Sequence, residues 1–232
     1  MVAGTDGPGA GIIDALVAAG AHVVVLGPAA QSVDGAPVVG CGFASSDEVS
    51  AGVAAAAAVL GGVDQFVYSW FPPALTRIAT FAEIDEIEWA QTCEGTLDAA
   101  WWFSQQAIGP LRASGGGSVV FMVPTLGMTG ASGFSMLSAV AEGLRVLAKG
   151  CGRCWGSDGV TVNTVATSPA LWVSHEHGER MLREISLSVP ALGRVGDPGE
   201  DLAPLVELLG AGEAHFLTAG TLVADGGLWM GL

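Results

Sequence analysis

The chain has one tyrosine, Tyr68, and one lysine, Lys149, among 232 residues. They lie far apart, so chemistry that needs a phenol and an ammonium on neighbouring turns of one helix is excluded. Cations are scarce altogether: 8 Lys and Arg stand against 23 Asp and Glu, a net charge of −15. That balance excludes nucleic-acid and anionic-membrane partners, because no basic surface is available to displace counterions from phosphate. A long hydrophobic run is also lacking, although the mean hydropathy is +0.53. The longest small-apolar stretch, Ala51–Val63, is mostly Ala and Gly, and a bilayer needs about 20 apolar residues. No basic segment precedes an apolar one, so no signal peptide is expected, and the protein is expected to be cytoplasmic. The surplus apolar character points to oligomer contacts. Cysteine is sparse too. Cys151 and Cys154 form a Cys-x-x-Cys, but no second pair completes a zinc site. Their context, LRVLAKGCGRCWG, is a helix end, whereas reactive thiolates favour helix starts. Reduced thiols, with Cys41 and Cys93, are the expectation, and no metal site.

What is abundant is glycine, with 35 residues, and apolar residues, which make up half of the chain. No linker-like stretch divides it, so residues 1–232 are read as one domain. Strand-like runs occur at Ala21–Leu26, Asp64–Tyr68, Ser118–Val123, Val160–Ala166 and Leu217–Val223. Between them, Ile12–Ala19, Ser46–Leu60, Ile84–Ala113, Ser135–Cys154 and Gly199–Leu209 have helical spacing or composition. Alternation of apolar strands with helices predicts an α/β fold, a doubly wound, Rossmann-like parallel sheet in a single domain.

Several segments carry a family resemblance. ALGRVGDPGEDLAPLVELLG followed by LTAGTLVADGGLWM resembles the closing P-x-x-R-x-x-x-P-E-D segment, helix and I-T-G-x-x-x-x-V-D-G-G strand of the short-chain dehydrogenase/reductases. IGPLRASGGGSVVFM and GVTVNTVATSPA are similar to that family's fifth strand and its G-I-R-V-N-x-V-x-P-G strand and loop. The resemblance runs over essentially the whole chain. It implies a Tyr-x-x-x-Lys pair on one helix face, in which the cation lowers the phenol's pKa, together with a Ser and an Asn.

None of the four is present where the resemblance puts it. In GFSMLSAVAEGL, Leu137 stands at the Tyr position and Ala141 at the Lys position. Pro124 takes the Ser position, with Thr125 beside it, and Thr92 takes the Asn position. The halohydrin dehalogenase branch, which uses Arg in place of Lys, still needs the Tyr, and Arg145 lies eight residues after Leu137 rather than four.

The cofactor motif is equally altered. The family's first loop, T-G-x-x-x-G-x-G, is matched by AGTDGPGAG, one residue shorter, with Gly4, Gly7 and Gly9. Asp6 would repel a pyrophosphate, and Pro8 lacks a backbone donor. The strand before it is reduced to a few residues. Gly27 and Pro28 stand where an acidic or basic residue meets the ribose, and a short AAQSVDGAPVV link replaces a helix. Tyr68, Ser69, Trp70 and Phe71 match the N-N-A-G motif and are expected to fill the cleft. Thr167 and Ser168 replace a P-G pair near the nicotinamide. No NAD(P) binding is therefore expected.

Other candidates have plainer readings. His175 and His177, with Glu176 and Glu179, suit a solvated loop better than a metal site. Asp225 suits a structural turn, and Trp101, Trp102, Trp155, Trp172 and Trp229 suit core or interface anchors.

The expected function follows from the resemblance. Family members associate through the fourth and fifth helices, here Glu88–Leu111 and Ser135–Cys154, and through the C-terminal strand. This chain keeps those regions, so it is expected to be a non-catalytic subunit paired with an active homologue that carries NAD(P), by analogy with the family a dehydrogenase of hydroxyacyl-CoA type. The alternatives are an oxidoreductase or nicotinamide-independent enzyme with a non-standard site drawn from Thr125, Asp6, His175 or His177, and a ligand-binding module.

Overall fold

Alternating apolar strands and amphipathic helices fold into a seven-stranded, wholly parallel sheet in the computed structural model, which describes residues 1–28, 33–173 and 189–230. The strands are β1 (Val2–Ala3), β2 (Val25–Gly27), β3 (Val38–Gly40), β4 (Gln65–Tyr68), β5 (Gly117–Pro124), β6 (Val160–Thr167) and β7 (Thr221–Ala224), in the order β3-β2-β1-β4-β5-β6-β7. The principal helices are α1 (Gly9–Ala18), α2 (Ser46–Leu60), α3 (Gly95–Ala113), α4 (Ser135–Trp155) and α5 (Ala203–Gly210). Helices α2, α3 and α4 pack side by side, and α1 packs with α5, so the sheet is covered on two faces. The doubly wound expectation holds.

Local chemistry explains the elements that the sequence marks clearly. Helix α2 begins at Ser45, whose Oγ accepts the Glu48 N–H at 3.2 Å, and has Asp47 and Glu48 in its first turn. It ends at Gly61 in the left-handed region, φ 73°, whose N–H caps the Ala57 carbonyl. Those signals satisfy the orphan groups at both ends. In α4 the buried residues Leu137, Val140, Ala141, Leu144 and Ala148 recur at three- and four-residue spacing and face β5 and β6. Strand β5 is buried from Ser118 to Pro124, as a strand covered on both faces must be.

Four expectations need correction. The AAQSVDGAPVV link ends in strand β3, which pairs with β2 through Val38, Val39 and Gly40. Ala21–Leu26 is a paired strand only from Val25, because β1 offers β2 only Val2 and Ala3. The helix over Ile84–Ala113 is one turn at Glu86–Trp89, a π-helical turn at Ala90–Glu94 and then α3. The helix over Gly199–Leu209 likewise opens with a wide turn, Pro198–Leu202, before α5. Wide turns insert one residue without altering composition, so periodicity does not reveal them.

Candidate functional site

In an open parallel sheet, ligands are expected in the crevice beyond the carboxyl ends of the strands, where the strand order reverses. Here that point lies between β1 and β4. Its walls are the loop Gly4–Pro8 that leads into α1, the segment Ser69–Pro73 after β4, and the turn Ser168–Val173 after β6.

The glycine loop is held by the protein's own groups. Ser69 Oγ donates to the Asp6 carbonyl at 2.8 Å, and the Asp6 carboxylate accepts the Phe71 N–H at 3.0 Å. Burial raises the Asp6 carboxyl above its ordinary range, an effect only partly offset by that hydrogen bond. Gly4, at φ +82°, lies so close to the chain after β4 that a β-carbon would stand 2.5 Å from Trp70 Cα. Gly9 packs on the Gly4 carbonyl and Ser69.

Gly7 is the decisive position. It has φ +54°, and a β-carbon there would stand 2.5 Å from the Trp172 indole ring. Trp172 is 7% exposed, donates its indole N–H to Thr167 Oγ1 at 2.8 Å, and meets Phe71 edge-on at 4.5 Å. The indole therefore lies against the loop where a pyrophosphate would approach a helix N-terminus. A cavity of about 280 Å³ at this crevice is bounded by Gly4, Asp6, Gly42, Trp70, Phe71 and Pro72. Ligand pockets ordinarily span about 300–1,000 Å³. The residues present do not fit a nicotinamide dinucleotide laid across Gly7.

Two aromatic expectations hold and one does not. Trp70 stacks on Phe43 at 4.8 Å, and Phe71 lines the crevice. Tyr68 instead points into the core between Phe103 and Phe121, at 5.1 and 5.5 Å. Its hydroxyl has no partner among the described residues, and burial drives its pKa well above the ordinary phenol value.

The catalytic positions read from the resemblance are all buried. Leu137 and Ala141 lie one turn apart on the inner face of α4, Pro124 ends β5, and Thr92 sits in the π-helical turn. Lys149 is exposed on α4, about 18 Å along the axis from Leu137. Arg145 donates its Nε to the Glu142 carboxylate at 2.9 Å, so its charge is spent within its own helix. The Thr125 and Ser168 hydroxyls, at the ends of β5 and β6, are buried without partners among the described residues.

Other candidates have separate fates. Asp225 accepts the N–H groups of Gly227, Leu228 and Trp229 at 2.9–3.1 Å, the expected structural turn. Cys41, Cys93, Cys151 and Cys154 are free thiols, and burial pushes Cys93 and Cys151 up to about 11. Of the tryptophans, Trp101 is an exposed surface residue, whereas Trp102 and Trp155 pack on the core. His175, Glu176, His177 and Glu179 lie outside the described residues. Trp172 is the core anchor that the sequence led us to expect, and sequence reasoning missed only that its indole packs against Gly7. The sole signal of that contact is proximity to Thr167 and Ser168.

A family model described as enoyl-(acyl carrier protein) reductase matches residues 2–229. A tropinone reductase homolog of Arabidopsis thaliana is 35% identical over 133 residues, which are 57% of this chain and 50% of that protein. The chain thus spans about half the length of the tropinone reductase homologs it matches. A 3-oxoacyl-acyl-carrier-protein reductase of Vibrio cholerae is 30% identical over 175 residues, 73% of this chain and 68% of that one. Human dehydrogenase/reductase SDR family member 4 is 27% identical and covers 98% of this chain and 85% of its own length. Among solved structures, a short-chain alcohol dehydrogenase described as putative, from Sinorhizobium meliloti, superposes with a TM-score of 0.84 at 22% identity, covering 98% of this chain and 94% of that one.

Proposed function

Because the chain belongs to the short-chain dehydrogenase/reductase family, we propose that it is a subunit that keeps the fold without the chemistry and pairs with an active homologue. The observation that carries this reading is the inner face of α4. Leu137 and Ala141, which the family resemblance sets at the positions of the proton donor and its activating cation, are buried, while Tyr68 is sealed in the core and Lys149 faces outward. Neither Leu nor Ala exchanges a proton. The Trp172 indole against Gly7 supports a chain without a nicotinamide of its own, the cofactor residing in the partner. A hydroxyacyl thioester is the substrate class favoured for the complex, since the Vibrio relative is described as a 3-oxoacyl-acyl-carrier-protein reductase.

The outer surface supports association. Trp101 on α3 and Val146 on α4 are 53% and 58% exposed, and Val223 stands exposed on the edge strand β7. Helices α3 and α4 follow parallel strands and run in the same direction. Their exposed charges are acidic toward the start of α3, at Glu94 and Asp98, and basic toward the end of α4, at Lys149 and Arg153, whereas Arg112 is paired with Asp158. A partner's helix pair lying antiparallel would set acid against base across the apolar centre. A less acidic partner also reduces the repulsion that two −15 chains would share.

A second reading, an enzyme with a non-standard site, draws on the two unpartnered hydroxyls of Thr125 and Ser168. Native mass spectrometry of assemblies from the source cells separates the two. The subunit reading expects a mixed assembly whose nicotinamide count equals the number of partner chains. A homo-oligomer with one nicotinamide per chain contradicts it.

A further inference from the structure

Beside the contact of Trp172 on Gly7, the crevice keeps its cavity of about 280 Å³, and the walls of that cavity are rigid and apolar. Trp70 and Phe71 line it together with Pro28, Pro72 and Pro73. Both aromatic rings are braced by rings that do not line the cavity. Phe43, 2% exposed, stacks on the Trp70 indole at 4.8 Å, and Trp172 meets Phe71 at 4.5 Å. Phe43 holds its place at φ 59°, a conformation that a bulky residue adopts only where its surroundings enforce it. The one ionisable side chain on the wall is Asp6. Its carboxylate accepts the Phe71 N–H at 3.0 Å, and no Lys, Arg or His among the described residues pairs with it.

The backbone of the walls excludes anions. Of the eight residues that line the cavity, three are prolines and have no N–H. Three more have theirs engaged. The Gly4 N–H donates to the Leu26 carbonyl at 2.8 Å, the Phe71 N–H to Asp6, and the Gly42 N–H to the Glu48 carboxylate, which also accepts the Ala44 N–H at 3.1 Å. A phosphate or carboxylate ligand would meet a carboxylate and few donors. A neutral apolar ligand would strip water from Asp6 and give its charge no partner. A cation satisfies the carboxylate and is attracted by the rings, most strongly where water is excluded. A primary ammonium brings three donors that need acceptors, yet the Asp6 carbonyl already accepts Ser69 Oγ. A methylated ammonium has no such demand, and its apolar skin suits the proline and aromatic walls.

We infer that this cavity is a binding site for a small methylated ammonium ion, held by the Asp6 carboxylate and the rings of Trp70 and Phe71. Burial opposes the ionisation of Asp6, and a bound cation would favour the charged form in place of the lost water. The net charge of −15 draws cations toward the chain. The inference rests on the reading that no dinucleotide occupies the crevice, and it gives the crevice a ligand without giving it a reaction.

Choline is a suitable probe, with 3,3-dimethylbutan-1-ol as the control that has the same shape and no charge. Calorimetric titration of the 232-residue chain should show one choline site per chain, and the neutral alcohol should bind about tenfold more weakly. Asp6→Asn, which keeps an acceptor for the Phe71 N–H, and Trp70→Leu should each weaken choline binding about tenfold with the circular dichroism spectrum unchanged. Equal affinity for the neutral alcohol overturns the proposal, as does undiminished choline binding by Asp6→Asn. NADH titrated into the same chain separates the cation site from the reading beneath it. Saturation by neither ligand overturns the cation site alone, whereas saturation by NADH that displaces choline overturns both.

Discussion

Among single residues, Trp172 and Asp6 hold the crevice closed, one by packing on Gly7 and the other by accepting the Phe71 N–H. Trp172 is buried, hydrogen-bonded to Thr167 and packed on both Gly7 and Phe71, so its removal leaves a large cavity and takes away the indole N–H bond to Thr167. Trp172→Ala should lower the unfolding free energy by about 3–5 kcal/mol, read from urea melts, whereas Trp172→Phe should lose clearly less. Asp6 is a carboxylate whose ionisation the fold opposes by burial. Its folded pKa lies above the unfolded value, so its contribution is complete at pH below 3.8 and is lost as pH rises through the folded pKa. Asp6→Asn keeps an oxygen for the Phe71 N–H and removes the charge. The variant should therefore melt higher than the parent at pH 7 and converge with it at the acid end. A stability difference that does not change with pH would contradict this description. Installing the family's Tyr and Lys at Leu137 and Ala141 is expected to be costly for a related reason. Leu137→Tyr with Ala141→Lys places an ammonium at a position that is 1% exposed, so the double variant should melt well below the parent and reduce no ketone with NADPH.

At the scale of elements, the contribution of the caps can be measured directly. Ser45→Ala removes the side-chain acceptor at the start of α2 and should cost about 1 kcal/mol in denaturant unfolding. Elements marked by such local chemistry were legible in the sequence. Helix α2 spans Ser46–Leu60 as its cap and left-handed glycine indicate, and β4, β5 and β6 follow their apolar runs within one residue. What was not legible depends on distant partners. β3 is three residues long and is a strand only because β2 lies beside it. Ala21–Val23 has the composition of a strand, yet the ladder with β1 begins only at Val24, whose carbonyl accepts the Val2 N–H. The site divides in the same way. Leu137, Ala141, Pro124 and Thr92 were assigned to the catalytic positions by the family resemblance, and the structure adds that all four are buried. The arrangement of the crevice was not legible, because Gly7 and Trp172 meet across most of the chain. Likewise, Asp6 could be read as a charge hostile to phosphate, but its bond to the Phe71 N–H appears only in three dimensions.

At the scale of the whole molecule, the chain combines a family fold with a crevice lined by its own side chains and an outer face of exposed apolar residues. If α3 and α4 form the contact with a partner, Trp101→Glu should break up the assembly without altering the fold, because Trp101 is half exposed in the single chain. Light scattering after size-exclusion chromatography should show the loss of mass, with an unchanged circular dichroism spectrum. The central claim, that the crevice of this chain holds no nicotinamide, is tested most directly by titrating the purified chain with NADH and NADPH while following energy transfer from tryptophan to the bound nicotinamide. Trp70 and Trp172 line the crevice and would report a ligand there. The account predicts no saturable signal at millimolar nucleotide. Saturation at one nicotinamide per chain, with micromolar affinity, would contradict it.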